Sequence, residues 1–339
     1  MTSTDDAGRM NRPQLHLLLV LVWFGAALLP PPACADWDAI PDRADRELPR
    51  LHALLVLHEG RPVVEHVRRG PGLDRPAALK SLSKTVLSAL AGIAIDQGRI
   101  EDVDVPLIDL LGPLPADAHP AAARITLAHA LSLRTGLRST SGRYYGAWVQ
   151  SDNWVDHVLT RPMADRPGGR MIYSTGSTHL VAAVLAASGQ ADVHALARRW
   201  LGEPLDIAVP DWMTDPQGIH FGGNQMQLSP RALARFGEMY RNRGRHEGRQ
   251  VVPEDWVRAS WTSYGTSPWS NDDYGYGWFI TELAGETAYY GRGYGGQALI
   301  VVPSVRLTLV MTSDPDPPSR GGYFDRIKRL AAEAVRIAR

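Results

Sequence analysis

The pattern of apolar and polar positions divides the chain into strand-like ends and a helix-like middle. Leu51 to Leu57 and Val63 to Val67 are aliphatic, β-prone runs on either side of His58-Glu59-Gly60-Arg61-Pro62, which predicts a hairpin. Helical spacing then predicts a helix from Ser81 to Ile95, stopped at Gln97-Gly98. Arg99 to Leu111 alternates acids with Val, Ile and Leu around Pro106, which predicts extended chain with a short helix. Ile125 to Leu133 predicts a helix capped by Thr126 and ended by Gly136. A loop-rich stretch from Arg138 to Arg170 precedes helices at Ser177 to Ser188 and Val193 to Leu201. Ser229-Pro230 opens another, running to about Tyr240, and Pro253 to Ser260 a short one. Strand patterns return at Tyr274 to Thr281, Ala288 to Tyr290, Gln297 to Val302 and Arg306 to Thr312, before a closing helix from Phe324 to Ala338. The order predicts an α+β fold, an α/β sandwich. Its antiparallel sheet is formed from both chain ends (36-100 and 270-339) and flanked by helices, with an inserted mainly helical region (101-269).

Composition adds bounds. A chain of 339 residues, 44% apolar and 21% charged, can bury one large core or two interlocked ones. Its 36 acids balance 36 bases with no basic run, so nucleic acid is not an expected partner, and small neutral or zwitterionic substrates stay open. Arg9 and Arg12 precede an apolar run from Leu15 to Leu29, shorter than the roughly 20 residues that span a bilayer. Pro30-Pro31-Pro32 and Ala33-Cys34-Ala35 follow, the latter an A-x-A cleavage pattern. Residues 1-35 therefore read as a secretory signal, with an uncleaved anchor as the alternative. The expectation is a periplasmic or secreted protein, not stably inserted in the membrane once cleaved and, with Cys34 gone, without disulfides.

Chemistry concentrates at Ser81-x-x-Lys84. Residues three apart share a helix face, so the hydroxyl and the amine can share a proton, and an amine whose charge burial disfavours can activate a serine. The nearby helix start would stabilise an anion developing beside Ser81. By itself the motif can occur by chance on any exposed helix. Yet of the 36 bases only Lys80, Lys84 and Lys328 are lysine, and arginine, the default cation here, cannot act as a base. Tyr173, just before the helix near Ser177, is either a packing aromatic or an acid–base group whose ionised form a lysine ammonium would favour. Four glycines in Tyr290-Gly291-Arg292-Gly293-Tyr294-Gly295-Gly296-Gln297 suit either a glycine-rich hairpin or a strand edge that lets a ligand approach the backbone.

Together these stretches make the chain resemble the serine hydrolases of the class C β-lactamase, penicillin-binding-protein and esterase group. The likeness extends through Gly92 to Ile100, Leu131 to Leu137, Arg166-Pro167-Gly168-Gly169, Gly222-Gly223, Ser229 to Gly237, Tyr274 to Trp278 and Gly295-Gly296-Gln297, nearly the whole chain after residue 35. His179-Leu180 and the Gly-Gly-Gln ending are similar to those of 6-aminohexanoate-dimer hydrolases. The resemblance implies that Ser81 is the nucleophile, Lys84 its proton partner and Tyr173 the acid–base tyrosine. It implies an oxyanion hole from the backbone amides of Ser81 and Tyr294, with Thr175, Arg292 and Gly293 as substrate contacts.

Two departures bear on substrate. The group's Tyr-x-Asn is here Tyr173-Ser174-Thr175, and its Lys-Thr-Gly is Gly291-Arg292-Gly293, so a side-chain amide and a carboxylate-binding lysine are both replaced. Arg292, one residue along the strand, should face the other side. The expected function is a secreted serine hydrolase of small esters or amides, through an acyl-enzyme on Ser81. A D-Ala-D-Ala carboxypeptidase or β-lactamase is the alternative, and a non-catalytic binding or sensor protein a third. The expected partner is a small ester, amide or peptide, with no cofactor and no metal. The aromatics between Arg143 and Asp165 are expected to line the cleft.

Overall fold

The computed structural model describes residues 36–189, 191–316 and 322–339. The signal reading for residues 1–35 lies outside them. The first strands are β1 (Leu51–His58) and β2 (Arg61–Val67), preceded by helix α1 (Ala39–Glu47). Helix α2 (Ser83–Asp96) follows, then, beyond several short helices, α3 (Thr175–Gly189), α4 (Val193–Ala197) and α5 (Pro230–Arg241). The chain then returns through β3 (Gly265–Thr266), β4 (Asp273–Tyr274), β5 (Phe279–Leu283), β6 (Glu286–Gly293), β7 (Gln297–Val302) and β8 (Leu307–Ser313), and ends in α6 (Tyr323–Ala338).

These eight strands form one sheet in the order β2-β1-β8-β7-β6-β5-β4-β3, and two short two-stranded ladders lie outside it. Every pair is antiparallel, and the strand nearest the N-terminus meets the one nearest the C-terminus, with Leu57 opposite Thr308. Both faces are covered, which is why the central strands read as continuous apolar runs. Ala53, Leu55, Leu299 and Val301 point into the core shared with α2 and α5. Their neighbours Leu54, Val56, Ala298 and Ile300 point into a second core closed by α1 and α6.

Helix α2 is apolar nearly all round, and a helix without a polar stripe belongs in an interior. Every residue from Ser83 to Ala94 is buried, and α3, equally apolar, packs against it. Fully burying a Leu or Ile side chain stabilises by roughly 1.5–3 kcal/mol, and α2 contributes Leu87, Leu90 and Ile93 to this core.

The predicted elements change in four places. The helix expected from Ser81 begins as a 3₁₀ turn, Lys80–Leu82, and becomes α-helical only at Ser83. The single strand expected from Tyr274 to Thr281 is two strands, β4 and β5, because Gly275 N–H donates to the Trp278 carbonyl and reverses the chain. The helix expected at Ser177 starts two residues earlier, at Thr175. Beyond Ala197, α4 runs on as a π-helical turn, Arg198–Gly202, and a last short turn to Leu205.

Candidate active site

Ser81 sits in the 3₁₀ turn that feeds α2, one residue after Lys80, whose φ of +52° is a left-handed conformation rare for a side chain of that size. Such strain persists only where surrounding structure holds it, and here it aims Ser81 into a cleft of about 630 Å³. Lys84, one turn further along, is buried with 3% exposure. Its Nζ stands 3.2 Å from Ser81 Oγ, 2.8 Å from the Gly223 carbonyl and 3.4 Å from Thr175 Oγ1. Burial, with no carboxylate to offset it, pushes this amine down to about 7. A neutral amine has two N–H groups for Gly223 and Thr175 and one lone pair for the Ser81 hydroxyl, so the three neighbours match its valences.

Tyr173 completes the group, with its ring centroid 5.1 Å from Lys84 Nζ and its side chain beside Ser81 in the cleft wall. Burial raises the Tyr173 phenol above its ordinary value, outweighing the nearby Ser81 hydroxyl and Arg292 charge that lower it. The expectation that a neighbouring ammonium would favour the phenolate is thereby corrected. Burial brings Lys84 to about 7, so near neutral pH a large share of it is free amine, beside a protonated phenol.

The Tyr173-Ser174-Thr175 turn is held by a hydroxyl-rich segment that sequence reasoning passed over. Ser139 donates to the Tyr173 carbonyl at 2.7 Å, Thr140 Oγ1 accepts from Gly176 N–H at 2.8 Å, and Ser141 Oγ accepts from Thr175 N–H at 2.8 Å. Ser141 Oγ also lies 3.0 Å from Thr175 Oγ1, so that hydroxyl is shared between Ser141 and Lys84. The signal for it was the run Ser139-Thr140-Ser141 directly after Gly136-Leu137-Arg138.

On the opposite wall, β6 lies against the Ser81 turn. A Cβ at Gly291 would stand 2.2 Å from Leu82 Cδ1, and one at Gly293 2.1 Å from the Leu79 carbonyl, so neither position can carry a side chain. Arg292 leaves the strand on the other face, as expected one residue along, with its guanidinium 4.4 Å from the Phe324 ring centroid, and it still lines the cleft. Tyr294, 48% exposed, continues the rim. All seven predicted site residues, Ser81, Lys84, Tyr173, Thr175, Arg292, Gly293 and Tyr294, thus meet at the cleft; Lys84 is the one behind its wall.

Of the loop aromatics, only Tyr145 lines the cleft, accepting from Asn224 Nδ2 at 2.8 Å. Trp148 and Trp154 are buried around His179 and Phe221, which corrects their assignment to the wall. Trp269, 71% exposed and edge-on to Tyr173 at 5.8 Å, is the aromatic that sequence reasoning missed. His179 is structural. Its Nδ1 accepts from Gly222 N–H at 3.1 Å, so its Nε2–H donates to buried Asp215, 2.9 Å away. That pair fixes the segment whose next carbonyl, Gly223, receives Lys84.

The Beta-lactamase family matches residues 50–333, and the chain belongs to it. The 6-aminohexanoate-dimer hydrolase of Paenarthrobacter ureafaciens is 26% identical over 295 residues, 79% of this chain and 74% of that protein. Among solved structures, a penicillin-binding protein homologue from Caulobacter crescentus superposes with a TM-score of 0.71 at 17% identity, over 88% of this chain and 97% of the other. A D-stereospecific amidohydrolase from Streptomyces sp. does so at 0.69 and 17%, over 88% and 98%. The protein is a serine hydrolase of this family.

Proposed function

We propose that the chain is an exported hydrolase that cleaves small esters and unstrained amides, including those of short peptides, through an acyl-enzyme on Ser81. One observation carries this reading: a serine hydroxyl 3.2 Å from an amine that burial holds near neutrality. As Ser81 Oγ bonds to the substrate carbonyl carbon, its proton passes to the Lys84 lone pair, and the carbonyl electrons move to an oxygen held by the amides of Ser81 and Tyr294. Collapse of that oxyanion breaks the bond to the leaving group, which takes the Tyr173 phenolic proton. Lys84 then returns its proton to Tyr173, and water attacks the acyl group along the reverse route.

The contact between Ser141 and Thr175 and the closed space at Gly291 support esters and amides over β-lactams, because Thr175 stands where the group has an amide and Gly291 where it has the strand lysine. The relatives named for amide cleavage agree with that preference. Arg292 in the cleft wall is the observation that favours the second reading, a D-Ala-D-Ala carboxypeptidase or β-lactamase, since a guanidinium suits a substrate carboxylate. The charged, apolar, A-x-A pattern of residues 1-35 supports export.

Intact-mass spectrometry after exposure to a fluorophosphonate, a p-nitrophenyl ester and a penicillin tests the proposal. The phosphonyl and acyl groups are expected on Ser81 and no lasting penicilloyl group. A stable penicilloyl adduct on Ser81 would establish the second reading, and no adduct from any probe would overturn both.

A further inference from the structure

Away from the cleft, the start of α4 and the segment 209–220 bring two histidines and two aspartates together. Asp192, His194 and His220 each offer a ligating atom within 4.8 Å of the others, and Asp211 stands beside both rings.

His220 is the informative member. It is 7% exposed, its Nε2 lies 2.8 Å from Asp211 Oδ1, and its Nδ1 is buried with no hydrogen-bond partner among the described residues. A carboxylate only accepts, so the ring proton sits on Nε2 and Nδ1 presents a bare lone pair, 3.8 Å from Asp192 Oδ1. His194 repeats the pattern. Its Nε2 is 2.9 Å from the Val209 carbonyl, another group that only accepts and so takes the Nε2 proton, and its Nδ1 stands 3.7 Å from Asp211 Oδ1. Two imidazoles and a carboxylate thus lie within reach of one ion, with one ligating atom from each within 4.8 Å of the others.

The distal hydrogen bonds fit the same reading. Metal-bound histidines almost always donate their second N–H to a carboxylate or a backbone carbonyl, which orients the ring and fixes the tautomer. Here Asp211 does so for His220 and Val209 for His194. Trp212 locks both rings, at centroid distances of 4.8 Å from His220 and 5.7 Å from His194, with its own Nε1–H donated to the Phe221 carbonyl. Asp192 Oδ1 caps α4 by accepting from Ala195 N–H at 2.7 Å, so its other oxygen is available.

We propose that Asp192, His194 and His220 bind a divalent transition-metal ion of the zinc class, with Asp211 as a positioning residue and water in the fourth place. Two imidazoles and a carboxylate are a common zinc set, and ligand atoms about 2.0–2.1 Å from a tetrahedral ion stand roughly 3.3 Å apart, so side-chain rotation inward from the present spacing of within 4.8 Å would close the set on an ion. The ion would tie α4 to the segment leading into Phe221-Gly222-Gly223, which holds Lys84, so its role is to stiffen the scaffold.

The full chain, stripped with a chelator and titrated with Co²⁺ and Zn²⁺, tests this. One equivalent of Co²⁺ is expected to bind with the visible bands of a tetrahedral N/O site, be displaced by Zn²⁺, and raise the thermal midpoint. Asp192→Asn, which keeps the helix cap, and His194→Gln should each weaken binding more than tenfold, and Asp211→Asn by about 10–100-fold. Circular dichroism identifies which variants are folded, and binding is read on those. The proposal is overturned by the absence of saturable one-to-one binding below millimolar metal, or by unchanged affinity in folded Asp192→Asn and His194→Gln. A midpoint that follows histidine protonation but ignores metal would likewise replace the ion with a proton-held ion pair.

Discussion

At the scale of single residues, the proposed mechanism rests on which of two neighbouring groups gives up its charge. Lys84 acts only as the free amine, so kcat/KM should fall on acidification through about pH 7, the value to which burial lowers it, and level off above. A pH–rate profile flat from about 5 to about 9 would contradict the role. Lys84→Arg keeps the charge but cannot accept a proton, and a loss on the order of 10²-fold or more is expected; rates within a few-fold of parent would remove Lys84 from the chemistry. Ser81→Ala should leave the circular dichroism spectrum intact and abolish adduct formation. Tyr173→Phe keeps the ring and removes the proton, so kcat should drop by about 10²–10⁴-fold on an alkyl ester or amide and by less on p-nitrophenyl acetate, whose leaving group departs unprotonated. Equal losses on both substrates would place Tyr173 in attack, not departure. The scarcity of lysine found Lys84, but the same argument is silent about Lys328, which grips buried Asp272 at 2.7 Å, a structural ion pair.

At the scale of elements, the site depends on segments that approach closely enough to exclude side chains. Gly223 has φ +79°, and a Cβ there would stand 2.9 Å from Thr178 Cβ and 3.1 Å from Lys84 Nζ. Gly223→Ala should therefore cost about 1–3 kcal/mol of stability and lower kcat by displacing the carbonyl that receives Lys84, read by thermal melts and kinetics together. A variant with parental kcat would show that this carbonyl is dispensable. Element types were legible because each has a local cause: Ser229 caps α5 through Ala232 N–H, Thr126 caps Leu127–Leu131 through His129 N–H, and alternation marks the strands. The turn within Tyr274 to Thr281 was not, since the aromatics Tyr274, Tyr276 and Trp278 alternate with glycines as on one face of a strand, and all three are buried. Nor could spacing reveal that Ser139, Thr140 and Ser141 clamp a turn 34 residues away, or that Trp148 and Trp154 pack inward, because both depend on where distant segments fold.

At the scale of the whole molecule, substrate preference follows from how tightly β6 meets α2 and the turn before it. Short-chain p-nitrophenyl esters should be hydrolysed faster than nitrocefin, and Gly291→Lys should unfold or weaken the protein without creating a penicillinase, because Leu82 and Thr85 occupy the space. Efficient nitrocefin turnover by the parent would instead assign Arg292 to the substrate carboxylate. The pairing of β1 with β8 has a further consequence, in time. Leu57 cannot find Thr308 until the ribosome has released both, and at roughly 5–20 residues per second the roughly 250 residues from one to the other take on the order of 10–50 s to make. Until then the sheet has no centre, and α2 has helix α3 beside it but not the strands that form the floor of its core, so the fold closes only when the last strands arrive.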